Sequence, residues 1–124
     1  METIRIKATD DTPSVILDPE NSHFEISGRS LPEDVVVFYQ PVIQWLEQLP
    51  QNPVKDMNLI IKLEYFNTAS SKLILDILLK LEDIFQNGTP VKVTWCYPAS
   101  DADMREAGEE YSEIVGLPFS LSQY

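Results

Sequence analysis

Apolar residues in the first third of the chain recur at every second position, the period of a β-strand with one buried face. Turn-forming residues from Asp18 to Ser22 separate two of these alternating segments, and Gly28 ends the second one. We therefore expect an antiparallel hairpin here, with an extra strand at its start. The apolar positions of these strands are Ile4 and Ile6, Val15 and Leu17, and Phe24 and Ile26.

A first long helix is indicated after the hairpin. Ser30 and Glu33 have the spacing of a capping box, in which the serine caps the helix and the glutamate reaches back to it. The helix is expected to run to about Leu49, because Pro50 and Pro53 stop it. Its wide apolar stripe consists of Val35, Phe38, Tyr39, Val42, Ile43, Leu46 and Leu49.

Pro41 lies inside this predicted helix. A proline has no backbone N–H, and its ring crowds the preceding turn of the helix. The sequence therefore predicts a bend or a 3₁₀ turn between Phe38 and Val42.

Two further strands alternate clearly between an apolar face and a mixed face. In one, Leu59, Ile61, Leu63 and Tyr65 share a face, and Ile60, Lys62, Glu64 and Phe66 share the other. In the second, Val91, Val93, Trp95 and Tyr97 oppose Lys92, Thr94 and Cys96. Because strands covered on both sides do not alternate in this way, the sheet is expected to be covered mainly on one face.

The strongest helical pattern lies between these two strands, from about Ser70 to Gln86. Asn87 and Gly88 follow it in the order typical of a helix C-terminus. Its polar residues form only a narrow stripe, so the helix is more apolar than a single core face requires. Burial against neighbouring helices and contact with a partner protein both explain such an excess.

A last helix is predicted from about Asp101 to Val115, with Ser100 as its cap, and Phe119 to Leu121 form a short final strand. The predicted order is β-β-β-α-β-α-β-α-β. Strand-helix-strand units close with right-handed connections, so the later strands are expected to be parallel. The fold class is α/β, with one mixed sheet, an N-terminal antiparallel hairpin and about three main helices.

The length of 124 residues predicts one domain over residues 1–124. Nine basic against twenty acidic residues give a net charge of −11, which disfavours nucleic-acid binding. Apolar runs such as Val35–Tyr39 are far too short to insert into a membrane. The N-terminus lacks the apolar core of a signal peptide, so a cytoplasmic location is expected.

The residues that common catalytic and metal sites need are scarce. Cys96 is the only cysteine and His23 the only histidine, so neither a zinc site nor a well-positioned catalytic triad is indicated. The four glycines form no phosphate-binding fingerprint. We therefore expect no catalytic residues, no metal and no cofactor.

The densest group of acidic residues lies in the last predicted helix, where Arg105 is the only base among them. Such a group is typical of a solvated helix face, and it also suits docking of a basic partner. It lacks the glycine and the spacing of a calcium loop. The group consists of Asp101, Asp103, Glu106, Glu109, Glu110 and Glu113.

The segment from Tyr65 to Lys72 joins a central strand to the strongest helix, at the carboxyl end of that strand. Ligands and partners of open α/β sheets usually meet this edge. Thr68, Ser70 and Ser71 place three hydroxyls where the helix begins, which is ordinary capping chemistry. A phosphoryl group is also well accommodated there, because free N–H groups and the helix dipole favour negative charge, and Lys72 lies one turn from Thr68.

The segment Asn67-Thr68-Ala69-Ser70-Ser71 after an apolar strand, with Leu75-Asp76-Ile77 and Val91–Trp95 further on, resembles the SiaC-like phosphoproteins of bacteria. This family is related in fold to STAS domains and anti-anti-sigma factors, and the resemblance covers nearly the whole chain. It implies a single STAS-like domain. It also implies that a partner kinase phosphorylates Thr68 and that a PP2C-type phosphatase releases the phosphate.

The resemblance further implies that the unphosphorylated protein binds and activates a diguanylate cyclase, which promotes biofilm formation through c-di-GMP. Partner contacts are expected around Thr68, at Phe66, Asn67, Ala69, Ser70, Ser71 and Lys72. The alternatives are a STAS-like module that binds a nucleotide or lipid, an anti-anti-sigma-type antagonist, and an enzyme that uses scattered carboxylates. Pro41 has no counterpart in the family pattern.

Overall fold

The computed structural model describes residues 1–124, and its elements follow in the predicted order. The alternating segments form strands and the amphipathic segments form helices, as their periods require. The strands are β1 (Ile4–Ile6), β2 (Ser14–Asp18), β3 (His23–Ser30), β4 (Met57–Phe66), β5 (Val91–Tyr97) and β6 (Phe119–Gln123). The helices are α1 (Val35–Glu47), α2 (Thr68–Gln86) and α3 (Ala102–Ile114).

All six strands form one sheet, in the order in which they occur along the chain. The pairs β1–β2 and β2–β3 are antiparallel, and β3 to β6 are parallel, which confirms the hairpin, its extra strand and the mixed sheet. The register aligns Phe24 with Leu59 and Leu59 with Val93, so buried apolar residues form rows across the sheet.

The three helices cover one face of the sheet. Each parallel connection moves one strand further in the same direction, and right-handed connections then place every helix on the same side. Residues on this face, such as Leu59 and Val93, join the helices in a single core cluster. The opposite face carries exposed residues such as Lys62 and Lys92, as the alternation predicts.

Helix α1 begins later than the capping box predicts. Its N-cap is Asp34, whose side chain accepts a hydrogen bond from the N–H of Val37. Ser30 is instead the last residue of β3 and is completely buried, so the prediction that it caps the helix is wrong. The pairing of β3 with β4 continues to Ser30 and keeps this residue in the sheet, which a local spacing rule cannot detect.

The helix around Pro41 does not change type. Residues Val35–Glu47 are α-helical throughout, so the predicted 3₁₀ turn between Phe38 and Val42 is wrong. Pro41 lies on the exposed side of α1, and Val37, whose carbonyl the missing N–H would have met, is 62% exposed. Water can therefore solvate the carbonyl that the proline leaves unbonded, and the helix continues.

The end of β4 contains an irregularity that reverses two side chains. Gly28 pairs with Leu63, but the next pair is Arg29 with Tyr65, so Glu64 is an extra residue in β4. One extra residue turns every later side chain to the opposite face. The prediction that Tyr65 shares the core face is therefore wrong, since its side chain is exposed. Phe66, the next residue of the strand, packs against the core instead.

The other two helices begin one or two residues from their predicted starts. Helix α2 begins at Thr68 rather than Ser70 and ends at Gln86. Asn87 is its C-cap, and the next residue, Gly88, has a positive φ of 108°, which favours glycine. The N-cap of α3 is Asp101, so the prediction that Ser100 caps this helix is wrong. No helix combines the length and the apolar character that crossing a membrane requires.

Candidate functional site

The candidate site lies where β4 passes into α2, at the carboxyl edge of the sheet. Asn67 is the N-cap of α2, and its Oδ1 accepts a hydrogen bond of 2.8 Å from the N–H of Ser70. The backbone N–H of Asn67 donates to the carbonyl of Ser30, at 3.1 Å. The first turn of α2 is therefore attached to the end of β3 as well as to β4.

Three buried hydroxyl groups connect β3, α1 and α2 at this point. The Ser70 hydroxyl donates to the Ser30 carbonyl at 2.9 Å, and the Ser30 hydroxyl lies 2.9 Å from the Ser70 oxygen. The Tyr39 hydroxyl lies 2.6 Å from the Ser30 hydroxyl. Because each hydroxyl has one proton, Tyr39 donates to Ser30, Ser30 to Ser70, and Ser70 to the carbonyl. Burial raises the pKa of Tyr39, which keeps the donor protonated.

Thr68 differs from the two serines that follow it. Thr68 is the first residue of α2 and is exposed, whereas Ser70 is completely buried. Ser71 is half-buried, and its hydroxyl donates to the carbonyl of Thr68 at 2.6 Å. The N–H groups of Thr68 and Ala69 precede the first helical hydrogen bonds, so they are free to bind an anion. Of these three hydroxyl-bearing residues, only Thr68 is exposed.

Helix α3 packs onto the same turn through Tyr111. The Tyr111 hydroxyl donates to the carbonyl of Ser71 at 2.8 Å, and its ring lies 5.4 Å from the ring of Trp95. Burial raises the pKa of Tyr111 to about 12, and the nearby Glu110 carboxylate acts in the same direction. This hydroxyl is therefore a neutral donor at physiological pH and holds α3 against the start of α2.

A groove of about 260 Å³ runs beside the site between α2 and α3. Phe66, turned towards the helices by the extra residue in β4, lies in its wall and packs edge-on against Trp95 at 6.0 Å. Leu75 and Ala107 add apolar surface, and Lys72 adds a positive charge. The groove thus offers an apolar surface, and two of its lining residues, Ser71 and Lys72, lie three and four positions after Thr68, on the same side of α2.

Of the acidic residues grouped at α3, Glu110 lines this groove. Asp101 caps α3, with its Oδ1 2.9 Å from the N–H of Met104. Arg105 forms an ion pair of 3.2 Å with Glu109, one turn further along the exposed face. The remaining acids of the group, Asp103, Glu106, Glu110 and Glu113, are exposed. The structure therefore places the group on a solvated helix face.

Comparison with known proteins identifies the family. The sequence profile of the SiaC family regulatory phosphoproteins matches residues 6–124. The chain belongs to the SiaC family. An uncharacterised protein of Pseudomonas aeruginosa strain UCBPP-PA14 is 31% identical over 124 residues, which are 100% of this chain and 98% of that protein.

Solved structures of SiaC agree in fold over the whole chain. SiaC of Pseudomonas aeruginosa superimposes with a TM-score of 0.91 at 31% identity, covering 100% of both chains. Another structure contains the diguanylate cyclase SiaD in complex with its activator SiaC, from the same organism. That SiaC chain has a TM-score of 0.91 at 30% identity and covers 98% of this chain and 99% of its own. The SiaC-like α/β fold expected from the sequence is confirmed.

The residues predicted at the candidate site fall into three groups. Thr68, Ala69 and Lys72 are exposed, Phe66, Asn67 and Ser71 are half-buried, and Ser70 is completely buried. The sequence did not predict the role of Ser30, Tyr39 and Tyr111, which fix the first turn of α2 from outside it. Their contacts join residues far apart in the chain, so no local sequence pattern predicts them.

Proposed function

We propose that this SiaC-family protein is a non-enzymatic switch controlled by phosphorylation of Thr68. In the unphosphorylated form it binds and activates a diguanylate cyclase in the cytoplasm, and phosphorylation of Thr68 releases the cyclase. A Ser/Thr protein kinase adds the phosphate and a PP2C-type phosphatase removes it. The output is c-di-GMP, and through it biofilm formation.

The observation that carries the proposal is the position of Thr68. It is an exposed hydroxyl at the first residue of a helix, in a family of regulatory phosphoproteins. A kinase needs access to the hydroxyl, and Ser70, completely buried, does not give it. The partnership of SiaC with its cyclase SiaD in Pseudomonas aeruginosa supports a cyclase as the partner here.

The first turn of α2 can hold a phosphate without rearranging. The free N–H groups of Thr68 and Ala69 and the positive end of the helix dipole favour the two negative charges that phosphorylation adds. Lys72, one turn along the helix, is exposed and available to pair with them. Phosphorylation therefore changes the charge of this surface far more than its shape.

A partner in the groove beside Phe66 is sensitive to that charge. To pack there after phosphorylation, it has to remove water from a near-dianion, which costs several kcal/mol unless it brings arginines. Since about 1.4 kcal/mol corresponds to a tenfold change in affinity, a loss of about 3 kcal/mol weakens binding roughly a hundredfold.

The test is a titration of each diguanylate cyclase of the source organism, purified, with unphosphorylated and Thr68-phosphorylated protein. Intact mass and peptide mapping establish the state of each sample. We expect one cyclase to bind the unphosphorylated form and to make c-di-GMP faster, and to bind the phosphorylated form at least a hundredfold more weakly. Equal binding of both forms, or binding of neither form to any cyclase, would refute the proposal.

A further inference from the structure

The outward side of α1 carries an exposed apolar surface. Val36 and Val37, in the first turn, are 61% and 62% exposed, the highest values among the large apolar side chains. The exposed side of a surface helix normally carries charged residues, but no residue from Val35 to Leu46 is charged. Gln40 and Pro41 continue the uncharged exposed surface along the helix. We call Val36, Val37, Gln40 and Pro41 the α1 face.

The α1 face lies at the same edge of the sheet as Thr68. Val36 is one turn before Tyr39, and Thr68 is two residues before Ser70. The hydroxyl chain places Tyr39 2.6 Å from Ser30, and Ser30 2.9 Å from Ser70. The second turn of α1 is therefore joined through Ser30 to the first turn of α2, and both helices begin at this edge of the sheet. A protein bound over Thr68 is thus expected to meet the α1 face as well.

The charge of the chain indicates what covers this face. Two copies of the chain, each with a net charge of −11, repel one another, which disfavours a second copy. Helix α3, on the other side of α2, carries Asp103, Glu106, Glu109, Glu110 and Glu113 against Arg105 alone. A partner that spans this edge is complementary when it sets apolar side chains against α1 and basic side chains against α3.

We infer that the α1 face is a docking surface for the effector that Thr68 controls, through a segment whose apolar side chains are flanked by lysines and arginines. The inference rests on the proposed function, in which this effector is a diguanylate cyclase, and it adds a second contact region to that interface. Thr68 then lies between the two regions, so a phosphate there disturbs both contacts at once.

The test variant is Val36→Glu/Val37→Glu. Acidic residues in the first turn of a helix are compatible with its dipole, so α1 is expected to stay folded. They also add attraction for a basic partner, so weaker binding reports the lost apolar contact. We expect the variant to bind the cyclase bound by the unphosphorylated wild type at least tenfold more weakly. Val36→Ser/Val37→Ser, which adds no charge, is also expected to bind the cyclase more weakly than wild type.

The matched control is Gln44→Glu/Gln48→Glu, which adds the same charge at two exposed positions, one in α1 and one at its C-cap, without removing an apolar side chain. Its affinity is expected to stay within twofold of wild type. Wild-type affinity in both valine variants, with binding still lost on phosphorylation of Thr68, would overturn the α1 contact and leave the proposed function standing. If no cyclase binds the wild type, the proposed function fails and the α1 contact falls with it. A wild-type dimer in sedimentation that Val36→Glu/Val37→Glu converts to monomer would overturn the inference in favour of a second copy.

Discussion

The hydroxyl of Ser30 lies 2.9 Å from the hydroxyl of Ser70, although 40 positions separate the two residues in the chain. One is the last residue of β3 and the other belongs to the first turn of α2. Both are completely buried, and no buried side-chain nitrogen or oxygen in the chain lacks a hydrogen-bond partner. This contact holds the start of α2 in place and leaves the neighbouring Thr68 at the surface.

Replacing Ser70 by alanine is therefore expected to destabilise the fold. The Ser30 hydroxyl loses its acceptor, and the Ser30 carbonyl loses one of its two donors, in a site closed to water. Such a loss costs about 1–3 kcal/mol. The control, Thr68→Ala, changes an exposed side chain and is expected to stay within about 0.5 kcal/mol of wild type. Urea denaturation compares the two variants, and equal stabilities would contradict a structural role for Ser70.

Strand and helix positions could be predicted from the chain because the two periods differ clearly. The alternation of apolar and polar residues predicted the buried rows through Phe24, Leu59 and Val93. The helical pattern of apolar residues predicted α2. The reversal at Tyr65 could not be found, because the extra residue in β4 is defined only by its pairing with β3. The position of Phe66 in the groove wall depends on that reversal.

Helix starts were predicted less well, because several residues near each start can cap. Ser30 and Asp34 both precede α1, and Ser100 and Asp101 both precede α3. In each case the aspartate is the cap, since it directly precedes the first helical residue. Ser30 is retained in β3 by its pairing with Phe66, a long-range contact that overrides the local signal.

The cap assignment predicts a clear difference between two neighbouring substitutions. Asp34→Ala removes the acceptor for the N–H of Val37 and is expected to cost about 1 kcal/mol. Glu33→Ala removes an exposed residue outside the helix and is expected to change stability by less than about 0.5 kcal/mol. Thermal or urea unfolding of both variants measures the two losses of stability and so decides which residue caps α1. A larger loss for Glu33→Ala would restore the capping box as the start of α1.

Pro41→Ala is expected to stabilise the protein. The substitution returns an N–H to the middle of α1, where the carbonyl of Val37 can accept it, and alanine is the better helix former by up to about 3 kcal/mol. Pro41 is exposed, so little packing is lost. A higher melting temperature is the expected result. An unchanged or lower melting temperature would show that the proline ring makes a stabilising contact that its exposure does not reveal.

The stability of the protein is expected to fall as the pH rises from 10 to 12. Burial, reinforced by Glu110, raises the pKa of Tyr111 to about 12 in the folded chain, from an ordinary value of 10.0. Below pH 10 the tyrosine keeps its proton in both the folded and the unfolded chain, so its contribution to the free energy of unfolding is complete. Between the two values the unfolded chain loses the proton while the folded chain retains it, so unfolding becomes easier.

Tyr111→Phe isolates this contribution. At pH 7 the variant loses the hydrogen bond to the Ser71 carbonyl, which is worth about 1 kcal/mol. Above pH 10 its stability is expected to fall less steeply than that of wild type, and the remaining slope includes Tyr39, whose pKa burial also raises. Urea unfolding at pH 7, 9, 10 and 11 measures both effects. Parallel curves for the two proteins would contradict the raised pKa of Tyr111.

Substitutions at Thr68 are expected to separate switching from folding. Thr68→Ala keeps an uncharged surface beside Phe66, so it is expected to bind the cyclase like unphosphorylated wild type and to resist inactivation by the kinase. Thr68→Asp and Thr68→Glu place a negative charge at the helix start, where the dipole favours it, so their melting temperatures are expected to stay near that of wild type. The same charge opposes burial under a partner, and weaker binding is expected.

The acidic variants carry about one charge where a phosphate carries about two, so their effect on binding is expected to be smaller than that of phosphorylation itself. One binding titration and one thermal melt for each variant, with fully Thr68-phosphorylated wild type alongside, therefore form a graded series. The expected order of affinity is Thr68→Ala, then the acidic variants, then the phosphorylated protein, at nearly constant melting temperature. Tight cyclase binding by the phosphorylated protein would defeat the switch. A large drop in its melting temperature would show instead that the phosphate acts by disturbing the first turn of α2. The Asn67 cap and the contact between Ser30 and Ser70, which hold this turn in place, would then not withstand the phosphate.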